Sequence, residues 1–131
     1  MAVVDASVWI AAFIEGDAFR QQARHIFQSL SSRQEKIYLP AIALTEVAGA
    51  IKRITKNNKD ARDALLNMKD LEPEILIDFG ELEPIASEIA INHSIRGADA
   101  CYLAVAEITR SELYTFDKEQ QKAFEEMSKI W

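Results

Sequence analysis

The chain opens MAVVDASVWI (residues 1–10), and the reading of its fifth residue decides the architecture. Ala2, Val3 and Val4 suit a short buried strand, yet they run directly into a carboxylate, after which Ser7 begins a helical pattern carrying Trp9 and Ile10. Asp5 has two readings. As a helix cap, its side-chain oxygen accepts from backbone N–H groups that a first turn leaves unpaired. As a functional acid, it stands at the carboxyl end of a parallel strand, where open α/β sheets hold their ligands.

Working outward, hydrophobic period and punctuation alternate between strand and helix. AVVD is a strand, residues 7–14 and 17–32 are helical with a break near Gly16 and Asp17, and KIYLP (36–40) is a second strand stopped by Pro40. A helix is predicted from Ala41 to about Thr55, with Leu44, Val47, Ile51 and Ile54 as its apolar stripe. Residues 58–69 form another, capped by Asn57 or Asn58. EILIDF (74–79) is a third strand, followed by a helix from about Glu81 to His93. Gly97 precedes the strongly apolar helix ADACYLAVAEI, ELYTF (112–116) supplies a fourth strand, and a charged helix covers 118–128. The closing KIW (129–131) is read as a short edge strand. Such alternation implies a mostly parallel sheet covered on both faces.

Composition bounds the rest. The 131 residues suit one domain with a proper core, and four Gly and three Pro leave no room for a linker or low-complexity tract. The uncharged stretches are too short to cross a bilayer, and no basic-then-apolar leader is recognisable, so a cytoplasmic protein without membrane contact is expected. Cys101 is the single cysteine and sits in DACYLAVA as a small core hydrophobe. His25 and His93 lack a companion at metal-ligand spacing and read as ordinary surface or boundary residues. Net charge is −6, unevenly spread: residues 1–70 hold ten basic and eight acidic side chains, residues 71–131 five and thirteen. The basic excess gathers in KRITKNNKDAR (52–62), either a solvated face or a hold on a phosphate backbone.

Four acids stand in awkward places. LYTFD repeats the opening pattern, so Asp117 follows the last strand as Asp5 follows the first. Asp99 lies in the first turn of a helix that is apolar almost all round. There a carboxylate gains from the helix dipole but costs several kcal/mol if left buried and unpaired, on the order expected for buried charge. Glu46 sits in ALTEVAGAI among small residues that allow close approach, although a Glu on a helix needs no function. Each acid alone has a structural explanation. Four converging without an intervening Lys or Arg would repel and raise one another's pKa values, a conflict that a divalent cation removes. Oxygen ligands without His or Cys suit Mg²⁺ or Mn²⁺ rather than zinc.

The ordered set VVDASVWI, ALTEVAGAI, IRGADACYLAVA and YTFDKE resembles the PIN domain, most closely the VapC-type ribonuclease toxins of type II toxin–antitoxin pairs. The resemblance spans essentially the whole chain. It implies a single PIN domain over residues 1–131, a Rossmann-like three-layer α/β sandwich around a mostly parallel sheet of four to five strands. It also implies a metal-dependent endoribonuclease whose products carry a 5′-phosphate and a 3′-hydroxyl. Asp5, Glu46, Asp99 and Asp117 fall on the family's four acidic positions. On this reading Asp5, Asp99 and Asp117 ligate the ion, and Glu46 holds a ligand water or acts as base. Ser7 and Thr115 fall where the family places hydroxyls beside the site, with helix capping and strand propensity as their plain alternatives. Glu119 matches an acid of some relatives but equally suits a solvated first turn.

Substrate grip is read from charge. Arg20, Arg24, Lys52, Arg53, Lys56, Lys59 and Arg62 offer sequence-independent phosphate contacts, and Arg96 either meets a phosphate or balances the acids. The resemblance further implies a homodimer and a cognate antitoxin lying in a groove near the site. Val8, Trp9, Ala12 and Phe13 are compatible with such a groove and equally with core packing. Competing readings are a PIN nuclease of RNA processing outside toxin–antitoxin systems, a non-catalytic PIN-like binding module, and a phosphoacceptor α/β domain. The last wants a second acid where Ser7 stands, or an acid pair with a late-strand lysine, and the chain has neither.

Overall fold

The computed structural model describes residues 1–71 and 75–131. Four short strands set its frame: β1 (Ala2–Val4), β2 (Ile37–Pro40), β3 (Ile75–Ile77) and β4 (Glu112–Tyr114), in the sheet order β3-β2-β1-β4. Every pairing is parallel. β1 lies opposite β2 through Ala2↔Ile37 and Val3↔Tyr38, and opposite β4 through Ala2↔Glu112, Val3↔Leu113 and Val4↔Tyr114. β2 meets β3 through Tyr38↔Ile75, Leu39↔Leu76 and Pro40↔Ile77. Successive strand residues face opposite sides, and all three residues of β1 are buried, so both faces of the sheet are covered.

The helices are α1 (Ala6–Phe13), α2 (Arg20–Ser32), α3 (Ile42–Thr55), α4 (Asn58–Asp70), α5 (Phe79–His93), α6 (Gly97–Thr109) and α7 (Lys118–Ser128). α6 packs on β1, β2 and β4, with α5 and α7 against it, while α1 contacts α2 and α3, and α3 contacts α4. Residues Ala100 to Ala106 are buried without a break, as expected of a helix apolar all round. Its small side chains (Ala100, Ala104, Ala106) let the helix sit close to the strands.

Most boundaries fall within two residues of the sequence reading. Asn57 caps α4, its Oδ1 accepting from the Asp60 N–H at 3.0 Å. α5 starts at Phe79 instead of about Glu81, because the extended backbone of Asp78 turns the chain from β3 directly into the helix. Of the third expected strand, Ile75–Ile77 is observed and Glu74 lies outside the described residues. The expected edge strand at 129–131 does not form. Trp131 N–H donates to the Ser128 carbonyl at 3.2 Å, and the ring packs edge-on against Phe124 beneath the Arg110 guanidinium. Aromatic packing at the end of α7 thus holds the segment off the sheet. In the α3 stripe Val47 and Ile51 are buried and Leu44 is half-buried, but Ile54 is exposed on the last turn, in an open cleft with Arg20 and Asp60.

Trp9 locks the first strand to the first two helices. Its Nε1–H donates to the Val4 carbonyl at 3.0 Å, and its ring meets Phe27 at 4.5 Å between centroids while being 1% exposed. Trp9→Ala is expected to lower the free energy of unfolding by about 3–5 kcal/mol, the usual size for a buried aromatic, as read by urea denaturation.

Candidate active site

Because the sheet is parallel, the carboxyl ends of β1 and β4 open on one edge, and their pairing sets Asp5 beside residues 115–117. The Asp5 N–H donates to the Tyr114 carbonyl at 2.9 Å, fixing that junction. The capping reading of Asp5 holds. It is the N-cap of α1, with Oδ2 accepting from the Ser7 N–H at 2.9 Å, and it is 4% exposed at the floor of the edge. Two further donors reach it: the Thr115 hydroxyl to Oδ2 at 3.3 Å and the Gln120 Nε2–H to Oδ1 at 3.2 Å.

Ser7 and Thr115 tie the two strand ends together. Ser7 Oγ accepts from the Phe116 N–H at 3.1 Å, and Thr115 Oγ1 accepts from the Asp117 N–H at 3.0 Å. The two hydroxyl oxygens are 3.4 Å apart. With the one Thr115 hydroxyl proton given to Asp5, the Ser7 hydroxyl is the donor between them. Asp117 caps α7, Oδ1 accepting from the Gln120 N–H at 3.0 Å.

The remaining acids arrive on helices. Glu46 projects from the second turn of α3, and its Oε1 accepts from the Tyr102 hydroxyl of α6 at 2.7 Å. Asp99, in the first turn of α6, meets Arg96 with Nε to Oδ2 at 3.3 Å. Burial pushes the Glu46 carboxyl above the usual carboxylate range; the Tyr102 hydrogen bond opposes this, and the charges of Asp5 and Asp99 add to it. Burial likewise raises Asp99, with Arg96 opposing and Asp5 and Asp117 contributing. The four acids therefore share one electrostatic neighbourhood. The Tyr102 phenol is raised by burial and by the charges of Glu46 and Asp5, so it stays protonated and serves only as donor toward Glu46.

The quartet is not a preformed metal cage: among the described residues, no three His, Cys, Asp or Glu side chains are gathered as one. A protein donor engages each acid: Gln120 and Thr115 on Asp5, Tyr102 on Glu46, Arg96 on Asp99, and the Gln120 N–H on Asp117. The donor chemistry nonetheless fits a hard divalent ion. All four candidate ligands are carboxylates, and burial raises two of them where they stand, which an added positive charge would relieve.

The other expected site residues lie farther off. Lys52, Arg53, Lys56, Lys59 and Arg62 are exposed around the α3–α4 turn. Lys56 is ten residues from Glu46, about 15 Å along the axis of α3 at the usual helical rise. Lys59 is paired with Asp63 at 2.7 Å, and the Lys52 ammonium donates to the Lys56 carbonyl at 3.5 Å. Arg20 is half-buried in a cleft with Glu15, Asp60 and Asp63, so it faces acids in its own surroundings. Arg24 is exposed on α2 and borders a groove of about 680 Å³ with Trp9, Ala12, Phe13, Phe27 and Leu71; Val8 is wholly in the core instead. Arg96 is exposed and stands at the mouth of the acid cluster. Glu119 is exposed, Cys101 is buried with its thiol raised by burial, and His93 contacts Glu126 at 3.3 Å. Tyr102 and Gln120 escaped the sequence reading. The only signal for Gln120 was the capping-box spacing Asp117-x-x-Gln120, which ordinarily describes a helix start.

The PIN domain profile matches residues 2–126. The chain belongs to the PIN domain family. Among solved structures, VapC20 of Mycobacterium tuberculosis, described as a sarcin–ricin loop cleaving toxin, is similar with a TM-score of 0.79 and 22% identity, over 94% of this chain and 95% of that one. FitAcB from Neisseria gonorrhoeae is similar with a TM-score of 0.65 and 20% identity, over 95% of this chain and 94% of that one. At such identities the likeness is one of fold, and it extends over the whole PIN domain. No curated protein sequence matches the chain.

A raised carboxyl stabilises the folded state at low pH and loses that contribution as pH rises through its folded value. In EDTA, Glu46→Gln is therefore expected to be more stable than the parent at pH 7, with the difference shrinking as pH falls toward 4. Urea denaturation across that range measures both. Tyr102→Phe removes the donor that holds Glu46 down, so the Glu46 carboxyl is expected to titrate higher still in a ¹³C carboxyl NMR titration.

Proposed function

We propose that this PIN domain is a metal-dependent endoribonuclease and the toxin of a toxin–antitoxin pair. The observation that carries the reading is the meeting of Asp5, Glu46, Asp99 and Asp117 at one sheet edge, with two of the four pushed toward protonation by burial and by the others. A fold needs no such cluster, and family membership together with the toxin activity described for VapC20 supports assigning it to RNA cleavage.

Asp5, Asp99 and Asp117 would hold Mg²⁺ or Mn²⁺, with Glu46 on a ligand water or acting as base. The bound ion would supply a water of lowered pKa and neutralise charge on the attacked phosphate. The chain's own groups prepare that step. Tyr102 fixes the direction of Glu46. Ser7 and Thr115 keep the ends of β1 and β4 at fixed separation and direct Asp5. With the acids neutralised by an ion, Arg96 would be free to leave Asp99 for a substrate phosphate. The exposed basic turn at residues 52–62 extends the phosphate path away from the acids. The groove beside Arg24, lined by Trp9, Ala12, Phe13, Phe27 and Leu71, is the surface offered to an antitoxin segment. A homodimer and a cytoplasmic location complete the reading; no helix among the described residues is long and apolar enough to cross a membrane.

The test is cleavage of end-labelled structured RNA by the purified protein. Cutting is expected with Mg²⁺ or Mn²⁺ and not with EDTA, and Asp5→Asn or Asp99→Asn is expected to lower the rate by about 100-fold or more, since a weakened ion forfeits part of the several kcal/mol it supplies to the transition state. Equal cutting by folded variants would reject the site. Lys56→Glu with Arg62→Glu is expected to weaken RNA binding and to flatten the log Kd against log salt plot by roughly one unit per lost phosphate contact.

A further inference from the structure

Gln120 stands at the acidic edge with its side chain fully buried. Its Nε2 donates to Asp5 Oδ1 at 3.2 Å and to the Asp99 carbonyl at 3.2 Å, while its own backbone N–H donates to Asp117 Oδ1 at 3.0 Å. One residue of α7 thus touches the acid-bearing residues that end β1, open α6 and cap α7. Both side-chain neighbours are acceptors, so only the amide nitrogen can face them. Its Oε1 is left buried with no hydrogen-bond partner in the protein. Buried acceptors are rarely left so, which points to a requirement other than stability.

Helix capping does not supply that requirement. In a capping box the glutamine at this position reaches back to the backbone N–H of the cap residue. Here the Asp117 N–H is already taken by Thr115 Oγ1 at 3.0 Å, and the Gln120 side chain turns inward to Asp5 and α6 instead.

We propose that Gln120 is the positioning residue of the acidic site, setting the spacing of Asp5, Asp99 and Asp117 so that the three can converge on one divalent cation. The inference rests on the cation-site reading above and adds the residue that builds the site. A neutral amide suits this role because it donates to an acid without the charge that a Lys or Arg would set against the incoming ion. Groups that orient metal ligands commonly change cation affinity by about 10–100-fold when removed.

The experiment is Mn²⁺ binding by calorimetry and by loss of the free-ion EPR signal, at a temperature where circular dichroism shows each protein folded. The parent, Gln120→Met and Gln120→Asn are compared with Gln121→Met, whose amide is at the surface beside Glu125. The expected result is an unchanged Kd for Gln121→Met and an about 10–100-fold weaker Kd for Gln120→Met. Gln120→Asn keeps the amide but is too short to span both acceptors, and it is expected to fall between. A merely structural glutamine would lower the unfolding temperature and leave the Kd of the folded protein alone, which overturns the proposal. If Gln120→Met does not fold, Gln120→Asn with parental affinity overturns it equally. A parent that binds no Mn²⁺ overturns the cation site itself and this inference with it, whereas equal binding by parent and variants removes Gln120 alone.

Discussion

Negative charge crowded at the carboxyl edge of β1 and β4 is the constraint around which this protein is arranged. A parallel sheet with both faces covered has its free edge where strands give way to helices, and the chain sends acids there from two strand ends and two helices. Burial and mutual repulsion raise Glu46 and Asp99, so the arrangement works against folding as it stands.

The surrounding donors make that crowding tolerable. Asp5 is held by the Ser7 N–H, the Thr115 hydroxyl and the Gln120 amide, Glu46 by a phenol whose burial favours its protonated form, and Asp99 by Arg96 at the surface. All of these supports are neutral except Arg96, an exposed cation on a long side chain. On the proposed reading the neutral supports stay in place when an ion enters, and only Arg96 has to move. Among the described residues the acids form no ready-made cage, and each accepts a hydrogen bond from the protein.

Much of this was legible in the sequence because the relevant signals are local. Strands of three or four apolar residues, the stop at Pro40, the Asn57 cap and the apolar run of α6 each declare themselves within a few residues. Asp5 and Asp117 stood out because a carboxylate ending a buried strand is unusual. What remained hidden was long-range. That β4 lies beside β1, bringing Thr115 to Asp5 across 110 positions, follows from strand order, which periodicity does not encode. Tyr102 looked like one more core residue of α6, and Gln120 like a helix-start glutamine. The closing KIW forms no strand: Trp131 packs on Phe124 and under Arg110, a contact that alternation in the sequence does not reveal. The basic turn was read correctly as exposed, but only the course of α3 places it at the far end from Glu46.

The central claim is that four acids from four elements serve one cation. Paramagnetic broadening of backbone amide signals on titration with Mn²⁺ tests it most directly, since it reports where the ion sits without needing a substrate. The account predicts that the amides around Asp5, Glu46, Asp99 and Asp117 broaden together at substoichiometric Mn²⁺, ahead of those around the exposed acids Asp60 and Asp78. Broadening centred on those surface acids, or spread without preference over the acidic half of the chain, would contradict it.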